Sequence, residues 1–301
     1  MAEQGALRRR LTVAPFLIVA LGLVFWADAR AGATAPCLLF LALFLALRST
    51  WEYVDLVRQR GFAPSLPLTA GCSAAIVAAN WLAVVVPTLA VEGMPLTRLG
   101  PPMLAFSLSV MLLFGSALWR YQGPGGNLER LGLELLGLSY VGVLLSATAQ
   151  LRWVTGADLC YLPLASVVVV TKFGDTSAYF AGHAIGGKKM SPLISPGKTW
   201  AGAAGAMFGA AFGGVLTLTL VPRWLGSAHP AEWYWSVLYG VVIGALGIVG
   251  DLAESLIKRD VGRKDSAPLL PGFGGLLDLL DSVIFVGPVA YFLWLVLPLP
   301  R

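Results

Sequence analysis

The sequence predicts an all-α fold, a polytopic helical bundle in a membrane with about nine transmembrane helices. Three observations support this prediction. Of the 301 residues, 57% are hydrophobic and only 12% are charged. The mean hydropathy of +0.77 is far above that of a soluble globular protein. The apolar residues also cluster in runs of about 20, the length that an α-helix needs to cross a bilayer. We therefore expect a single membrane domain over residues 1–301.

The apolar runs follow one another along the whole chain. The second run is short, but an amphipathic continuation through Trp51, Tyr53 and Val57 is expected to lengthen its helix. The sixth is expected to end near Lys172 and Asp175. The predicted spans lie near residues 11–27, 34–47, 66–88, 99–118, 131–149, 154–173, 199–221, 233–256 and 277–298. Residues 1–150 thus form an N-terminal, lipid-facing half, and residues 151–301 form the half with the charged motifs.

The distribution of basic residues predicts the orientation of the chain. On the nine-span map, sixteen of the 21 Lys and Arg residues fall on one side of the membrane. Positive residues are retained in the cytoplasm, so this side is assigned to the cytoplasm. The N-terminus and the loops 172–198 and 258–276 are then cytoplasmic, the C-terminus is outside, and the bilayer is the cytoplasmic (inner) membrane. These loops account for the net charge of +5, so no nucleic-acid partner is expected.

Cysteine and histidine give no sign of a transition-metal site. Cys37, Cys72 and Cys160 occur singly in apolar segments, without CxxC spacing, and are expected to be packing residues. His183 in a predicted cytoplasmic loop and His229 in an external one have no ligand-like partner nearby in the sequence. A metal site in this chain is therefore expected to use oxygen ligands.

Glycines recur at helical spacing in the seventh and eighth predicted spans. Such a stripe lets two helix backbones approach closely in a membrane. We expect it to serve packing rather than catalysis. The stripe residues are Gly205, Gly209, Gly213, Gly240, Gly244, Gly247 and Gly250.

Acidic residues are concentrated at matching ends of several predicted spans. Asp278 and Asp281 stand at i and i+3, and Asp175 closes the sixth span. A third group shares one helix face at i, i+3, i+4 and i+7, namely Asp251, Glu254, Ser255 and Lys258. Crowded ionised carboxylates repel one another, so their convergence is understandable if cations neutralise them. Oxygen ligands alone favour Mg²⁺ over zinc. The alternative is that these acids only pair with Lys258, Arg259, Arg263 and Lys264.

Two neighbouring segments have features of phosphate binding. The turn Pro271–Gly275 leads into a helix, and backbone N–H groups at a helix start can hold anionic oxygens. In the other segment, Lys198 is a candidate phosphate ligand, with Ser195 or Thr199 as hydroxyl donor. This segment is not a Walker A loop, because Pro192 stands where the first glycine would be. A solvated basic loop that only sets topology is the alternative for it.

The order and spacing of these residues resemble a known family signature. The residues that carry the resemblance are Asp175, Ala178-Tyr179, Ser195-Pro196, Lys198-Thr199, Gly202, Gly250-Asp251-Leu252, Glu254, Ser255-Leu256-Ile257-Lys258-Arg259, Lys264-Asp265, Pro271, Gly274-Gly275, Asp278 and Asp281. This pattern resembles that of the phosphatidate cytidylyltransferases, the CDP-diacylglycerol synthases. The resemblance is close in the C-terminal half and extends to the N-terminal half only in hydropathy.

The resemblance implies an enzyme of phospholipid biosynthesis. Its substrates would be CTP and phosphatidate, and its products CDP-diacylglycerol and pyrophosphate. The acyl chains of the lipid would stay in the bilayer. The resemblance leaves open a second cation beside Mg²⁺ and a homodimer.

The same resemblance implies roles for individual residues. Mg²⁺ would be held by Asp251 and Asp278, with Asp281 and Asp175 as further ligands or supporting residues. The implied catalytic residues are Asp251, Asp278, Lys258 and Lys198. The implied substrate-binding residues are Ser195, Thr199, Ser255, Arg259, Lys264, Gly274 and Gly275. No protein nucleophile is needed, because an oxygen of the lipid phosphate attacks CTP.

Three residues depart from the family pattern. Phe273, Leu279 and Ala201 stand where members usually have His, Arg and Glu. Losing an imidazole and a guanidinium removes two phosphate contacts, each worth about 1.5 to 3 kcal/mol as a charge-assisted hydrogen bond. The departures leave open a catalytically divergent or silent relative that acts on another lipid phosphate. From a different class, a cation-coupled membrane transporter also remains open, because intramembrane carboxylates bind coupling ions.

Overall fold

The computed structural model describes residues 2–89, 94–224, 229–269 and 274–300. Two short strands form the only sheet in these ranges. The helices are α1 (Ala2–Ala31), α2 (Pro36–Arg58), α3 (Leu66–Ala78), α4 (Leu82–Val85), α5 (Gly100–Trp119), α6 (Asn127–Gly137), α7 (Leu144–Gln150), α8 (Leu162–Ala184), α9 (Trp200–Val215), α10 (Val221–Trp224), α11 (Trp233–Asp260) and α12 (Leu276–Val296). The strands are β1 (Lys189–Ser191) and β2 (Ser195–Thr199). Segments of π-helix at Leu138–Val143 and Leu216–Leu220 connect α6 to α7 and α9 to α10.

Eight helical segments of the described chain are long and apolar enough to cross a membrane. They are Pro36–Arg58, Leu66–Val85, Leu96–Trp119, Asn127–Trp153, Ala157–Ala184, Trp200–Trp224, Trp233–Asp260 and Leu276–Val296. The all-α, multi-pass membrane fold is therefore confirmed, as is the continuation of the second span. The first predicted span, 11–27, falls within α1, where side chains are described only from residue 15 onward. Its role as a ninth span stays a prediction.

The predicted end of the sixth span was wrong. Helix α8 continues to Ala184, so Lys172 and Asp175 lie within a helix and His183 lies in its last turn rather than in a loop. A Lys–Asp pair at i and i+3 supports a helix, so the charges did not mark its end. The helix ends instead just before Gly186 and Gly187, whose positive φ angles of 65° and 91° favour glycine.

The loop that follows α8 contains an antiparallel hairpin that the sequence analysis did not anticipate. Lys189 of β1 stands opposite Thr199 of β2, and Ser191 stands opposite Ser195. The hairpin leads without a break into α9. It therefore gives the basic segment around Lys198 a fixed backbone.

The chain divides into two compact units, which we describe separately. The first unit comprises Met1–Ala149 and Asp260–Leu280, and the second comprises Gln150–Arg259 and Asp281–Arg301. The first boundary lies close to the predicted division between residues 150 and 151. The segment Asp260–Leu280, however, groups with the N-terminal half. The single membrane domain stays a prediction.

The first unit has an apolar core built from α3, α5, α6 and the π-helical segment after α6. Its buried residues are Cys72, Ile76, Leu113, Leu131 and Leu138. Cys72 is thus a packing residue, as predicted. Buried carboxylates on neighbouring helices serve backbone N–H groups at helix starts. Asp28 Oδ1 accepts from the amide of Cys37 at 2.6 Å, and Glu134 Oε1 accepts from the amide of Ser65 at 2.8 Å. These carboxylates supply acceptors for backbone N–H groups at the start of α2 and at the N-cap of α3, which have no partner within the helix.

The second unit is packed through its glycines. A Cβ atom at Gly209 of α9 would lie 2.6 Å from the Phe173 carbonyl oxygen of α8, which is too close for any real contact. A Cβ atom at Gly240 of α11 would lie 2.8 Å from Cα of Ala211 in α9. A Cβ atom at Gly250 would lie 2.7 Å from Cβ of Phe285 in α12. The predicted close packing along the glycine stripe is therefore confirmed.

Replacing Gly240 by alanine should destabilise the second unit. The added methyl group would press on the backbone of α9, and overpacking of this kind costs about 1 to 3 kcal/mol. We expect Gly240→Ala to lower the midpoint of thermal unfolding in detergent. Gly115→Ala in α5 is the control, because a Cβ atom there meets nothing within 4 Å. Equal midpoints for the two variants would contradict the packing described here.

Candidate functional site

Lys198 and Asp251 form an ion pair in the second unit. Lys198 belongs to β2, whose pairing with β1 fixes its backbone, and Asp251 lies on α11. The Lys198 Nζ lies 2.7 Å from Asp251 Oδ2 and 3.4 Å from the carbonyl oxygen of Ile248. The two side chains keep 21% and 38% of their surface exposed, so the pair remains accessible to a ligand. Two segments that the sequence analysis selected separately thus meet in space.

A second lysine lies among the other carboxylates of this unit. On α8, the Lys172 Nζ lies 3.0 Å from Asp175 Oδ2. Lys172 also interacts electrostatically with Asp251 and with Asp281 of α12. Asp281 is 6% exposed and accepts a hydrogen bond from the backbone N–H of Ser282. We call Lys172, Asp175, Lys198, Asp251 and Asp281 the charged cluster.

The carboxylates of the charged cluster offer oxygen donors, the type of ligand that Mg²⁺ takes. Within the described residues, no three Asp, Glu, His or Cys side chains form a group that could hold a metal ion by themselves. Mg²⁺ commonly needs only one or two protein carboxylates, because water and substrate phosphates supply its other ligands. In this structure the ammonium groups of Lys172 and Lys198 neutralise Asp175 and Asp251. Asp175 and Asp251 are therefore each paired with a lysine ammonium group, and all of the carboxylate donor atoms are oxygens.

The predicted polar face of α11 is confirmed. Ser255 Oγ lies 3.4 Å from Asp251 Oδ1, one turn earlier. Lys258 pairs with Glu254, and both are at least 90% buried. Lys258, a predicted catalytic residue, thus has a carboxylate partner on its own helix.

One alternative from the sequence was that the acidic residues only form ion pairs with Lys258, Arg259, Arg263 and Lys264. The structure places Arg259 against the hairpin instead, with its Nε donating to the Ile194 carbonyl oxygen at 3.1 Å. In the first unit, Arg263 Nε donates to the side-chain oxygen of Gln59 at 2.9 Å, and Lys264 is exposed. Asp175 and Asp251 pair with Lys172 and Lys198 rather than with these residues.

The two hydroxyl residues of the hairpin differ in their surroundings. Thr199 is 5% exposed, and its Oγ1 accepts a hydrogen bond from the Gly202 amide at 3.0 Å. It is the N-cap of α9. Ser195 begins β2 and is only partly buried. The structure therefore gives Thr199 a capping function, and the phosphate-binding roles of both residues stay predictions.

Asp278 lies in the first unit at the start of α12. Its Oδ2 accepts hydrogen bonds from the Gly275 amide at 2.7 Å and the Ser266 amide at 2.9 Å. Ser266 Oγ also lies 2.7 Å away. The Gly275 amide, a candidate phosphate ligand, thus donates to a carboxylate of the chain itself. The phosphate-binding roles of Gly274 and Gly275 stay predictions.

Sequence reasoning missed Glu52, a fully buried residue of α2 in the first unit. Its carboxylate accepts hydrogen bonds from the amides of Leu276 at 2.9 Å and Leu277 at 2.8 Å. It also lies 3.1 Å from the guanidinium of Arg48. The available signal was an Arg–Glu pair at i and i+4 in a largely apolar helix, since ionisable residues in such helices have specific partners. Lys172 and Ser266 were likewise given no role.

The three departures from the family pattern lie in different parts of the chain. Phe273 lies outside the described residues. Leu279 is in the first turns of α12, and Ala201 is the second residue of α9, after the Thr199 cap. Leu279 and Ala201 are both partly buried.

Comparisons with known proteins show which family the chain belongs to. The profile of the cytidylyltransferase family matches residues 8–297. A phosphatidate cytidylyltransferase of Brucella abortus is 37% identical over 160 residues, or 53% of this chain and 56% of the relative. That of Bacillus subtilis is 36% identical over 166 residues, or 55% of this chain and 58% of the relative. That of Synechocystis is 32% identical over 288 residues, or 86% of this chain and 87% of the relative.

The extent of these matches differs among the relatives. The chain spans little more than half the length of the Brucella and Bacillus proteins, at 56% and 58%. The Synechocystis alignment, in contrast, covers 86% of this chain, and the family profile over residues 8–297 includes both the N-terminal spans and the charged cluster. On these two matches, this multi-pass membrane protein belongs to the cytidylyltransferase family.

Proposed function

We propose that this protein is a phosphatidate cytidylyltransferase, which transfers the cytidylyl group of CTP to phosphatidate. The observation that carries the proposal is the ion pair of Lys198 with Asp251. It joins two segments of the family-like signature that are far apart in the sequence. The Brucella, Bacillus and Synechocystis relatives are named for this activity, which supports the same assignment.

The chemistry requires charge neutralisation and alignment rather than a protein nucleophile. An oxygen of the phosphatidate phosphate attacks the α-phosphorus of CTP, and the bond from this phosphorus to the bridging oxygen breaks. Pyrophosphate leaves with the electron pair of that bond, and CDP-diacylglycerol remains in the bilayer. The residues must hold two polyanions in line and stabilise the charge on the departing pyrophosphate.

Basic residues of both units are suited to the phosphates, with Lys264 in the first unit and the others in the second. Lys198 is half-buried and held by the hairpin, so it can contact a phosphate without much loss of conformational entropy. Arg259 fixes the residue before β2. We propose that Lys198, Lys258, Arg259 and Lys264 orient the phosphates, together with Ser255 beside Asp251.

We propose Asp251 and Asp278 as ligands of Mg²⁺, with Asp281 and Asp175 as further ligands and a second cation left open. When bound, Mg²⁺ supplies positive charge to the triphosphate and to the leaving pyrophosphate. The support is the oxygen-only donor set and the cation partners that Asp175 and Asp251 already have. Asp278 lies one turn before Asp281 on α12, at the spacing that the family-like signature has.

The alternatives are less well supported. Membership of the cytidylyltransferase family does not favour a cation-coupled transporter. A silent relative, or one that acts on another lipid phosphate, rests on Phe273, Leu279 and Ala201. Leu279 and Ala201 do not belong to the charged cluster, and we propose that the reaction tolerates all three departures.

We further propose a cytoplasmic (inner) membrane location with the N-terminus and the charged cluster in the cytoplasm. This orientation rests on the distribution of basic residues and brings the cluster to the compartment that contains CTP. The homodimer stays a prediction.

The first test is pyrophosphate release by purified protein in detergent with Mg²⁺, CTP and phosphatidate. We expect release that depends on both CTP and lipid, and ATP should not replace CTP. Asp251→Asn should lower the rate by about two orders of magnitude or more, because neutralising this carboxylate removes both its cation site and its pairing with Lys198. Turnover with another lipid phosphate instead of phosphatidate would contradict the proposed acceptor.

A second test replaces Lys198 with methionine, which keeps most of the apolar stem and removes the charge. We expect kcat/KM for CTP to fall by about one to two orders of magnitude, the effect of losing a charge-assisted phosphate contact. The matched control is Lys189→Met in the paired strand, whose side chain is exposed. Equal losses in both variants would point to general electrostatic attraction rather than a specific contact.

A third test concerns orientation. With nine spans and a cytoplasmic N-terminus, the C-terminus lies outside. If residues 11–27 do not cross the membrane, eight spans remain, and both ends of the chain lie on the same side. Alkaline phosphatase fused after Arg301 should be active, and green fluorescent protein fused there should be dark. The reverse pattern would show that residues 11–27 do not cross the membrane or that the chain is inverted, and the same reporters at the N-terminus separate these two cases.

A further inference from the structure

We propose that Glu52 is a positioning residue, which fixes the start of α12 and through it the carboxylate of Asp278. The inference rests on the proposed function, in which Asp278 is a ligand of Mg²⁺. Glu52 lies on α2, is fully buried, and belongs to the same unit as Asp278. It contacts the backbone of α12 and the side chain of Ser266.

The start of α12 lacks an N-cap side chain. The first N–H groups of a helix have no partner within the helix, and the side chain of the N-cap residue usually accepts from one of them. Here the N-cap position is Gly275, which has no side chain. Glu52 supplies the missing acceptors, Oε1 to the Leu276 amide at 2.9 Å and Oε2 to the Leu277 amide at 2.8 Å. A carboxylate from another helix thus does the work of an N-cap side chain.

Glu52 and Ser266 together require a glycine at this position. A Cβ atom at Gly275 would collide with Ser266 Oγ and with the carboxylate of Glu52. A residue with its own capping side chain therefore cannot occupy the position while both side chains are present. Glu52 accepts from the amides at the start of α12 in place of such a side chain.

The arrangement sets the direction of Asp278. Asp278 is the third residue of the helix, and its Oδ2 accepts from the Gly275 amide at 2.7 Å, as in a capping box. Ser266 Oγ lies 2.7 Å from this oxygen and 2.9 Å from Glu52 Oε2, so its one hydroxyl proton can be donated to either carboxylate, one at a time. Because these contacts all use Oδ2, they fix the rotamer and hence the direction of Oδ1. A shift of the Glu52 carboxylate would therefore reorient a proposed metal ligand.

The charge of Glu52 is balanced within the first unit. Arg48, one turn earlier on α2, lies 3.1 Å from Oε1, and its guanidinium also stacks on Trp51 at 4.2 Å from the ring centre. The positive end of the helix dipole of α12 adds to this balance. Glu52 thus has its partners within the protein, and we assign it a role that acts through Asp278 rather than on substrate.

The test is Glu52→Gln, which keeps the shape but has one acceptor oxygen and places an NH₂ group against an amide donor. We expect Mn²⁺ binding, followed by electron paramagnetic resonance with and without CTP, to weaken about tenfold, the usual effect of losing a residue that orients a metal ligand. The Mg²⁺ concentration for half-maximal turnover should rise by a similar factor. Asp278→Asn provides the reference for loss of the ligand itself.

The matched control is Glu134→Gln. Glu134 is also buried in the first unit, lies 3.6 Å from an arginine one turn earlier, Arg130, and accepts from the Ser65 amide near the start of α3. Asp278 does not take part in these contacts. We expect both variants to unfold at lower temperature than wild type, but only Glu52→Gln to lose metal affinity. Equal metal affinity in the two variants would leave Glu52 with a structural role only and overturn the proposal.

A compensating substitution distinguishes the positioning role from a simple folding defect. Gly275→Ser alone should be harmful because its Cβ atom collides with Ser266 Oγ and with Glu52. The double variant Glu52→Ala with Ser266→Ala removes both colliding groups but leaves the amides at the start of α12 without acceptors. Adding Gly275→Ser to this double variant supplies a serine that can cap α12, so the triple variant should bind Mn²⁺ more tightly than the double variant. Additive losses would contradict the proposal.

The outcome for wild type separates this inference from the proposed function. Wild-type protein without CTP-dependent turnover contradicts the proposed function, but Mn²⁺ binding needs no turnover and still decides the role of Glu52. Wild-type protein that turns over while Glu52→Gln binds Mn²⁺ as well as Glu134→Gln contradicts only the positioning role. A wild type that binds no Mn²⁺ under either condition overturns both.

Discussion

An ionised carboxylate inside a membrane protein is stable only where cations or hydrogen-bond donors surround its oxygens. The first unit meets this requirement mainly with backbone amides. Asp28 and Glu52 accept from the first residues of α2 and α12. The second unit meets it with ammonium groups, as Lys172 and Lys198 pair with carboxylates. A buried carboxylate must therefore lie at the start of a helix or within reach of a lysine. This requirement determines the positions of the buried carboxylates named here in each unit.

The two kinds of partner differ in how readily they can be exchanged. A backbone amide is part of its helix, so the amides that donate to Glu52 cannot turn away from it unless α12 moves. A lysine is a point charge on a flexible stem and can exchange one anion for another. Under the proposed function, Lys198 can therefore turn to a phosphate while a cation replaces it at Asp251. The amide-bound carboxylates keep the backbone in place during such an exchange.

The glycines make the charged cluster possible, and their role could be predicted from spacing alone. Gly209 and Gly240 bring α9 against α8 and α11, and Gly250 brings α11 against α12. Backbones at this separation place short side chains such as aspartate within reach of the same lysine. Hydropathy likewise predicted the membrane-spanning segments from α2 to α12. The end of α8 could not be predicted in this way, because a Lys–Asp pair at i and i+3 suits a helix as well as it suits a loop.

The sequence by itself determined the membrane fold, the glycine packing, the common face of Asp251 and Ser255 on α11, and membership of a family through the spacing of polar residues. These properties depend on composition and on the period of one helix, both of which are local. Only the tertiary structure decided which charges meet. The pairing of Lys198 with Asp251 requires the hairpin, and the contact of Glu52 with α12 joins residues more than 200 positions apart. A side chain's partner depends on how separate helices pack, and the spacing within any one helix does not contain that information.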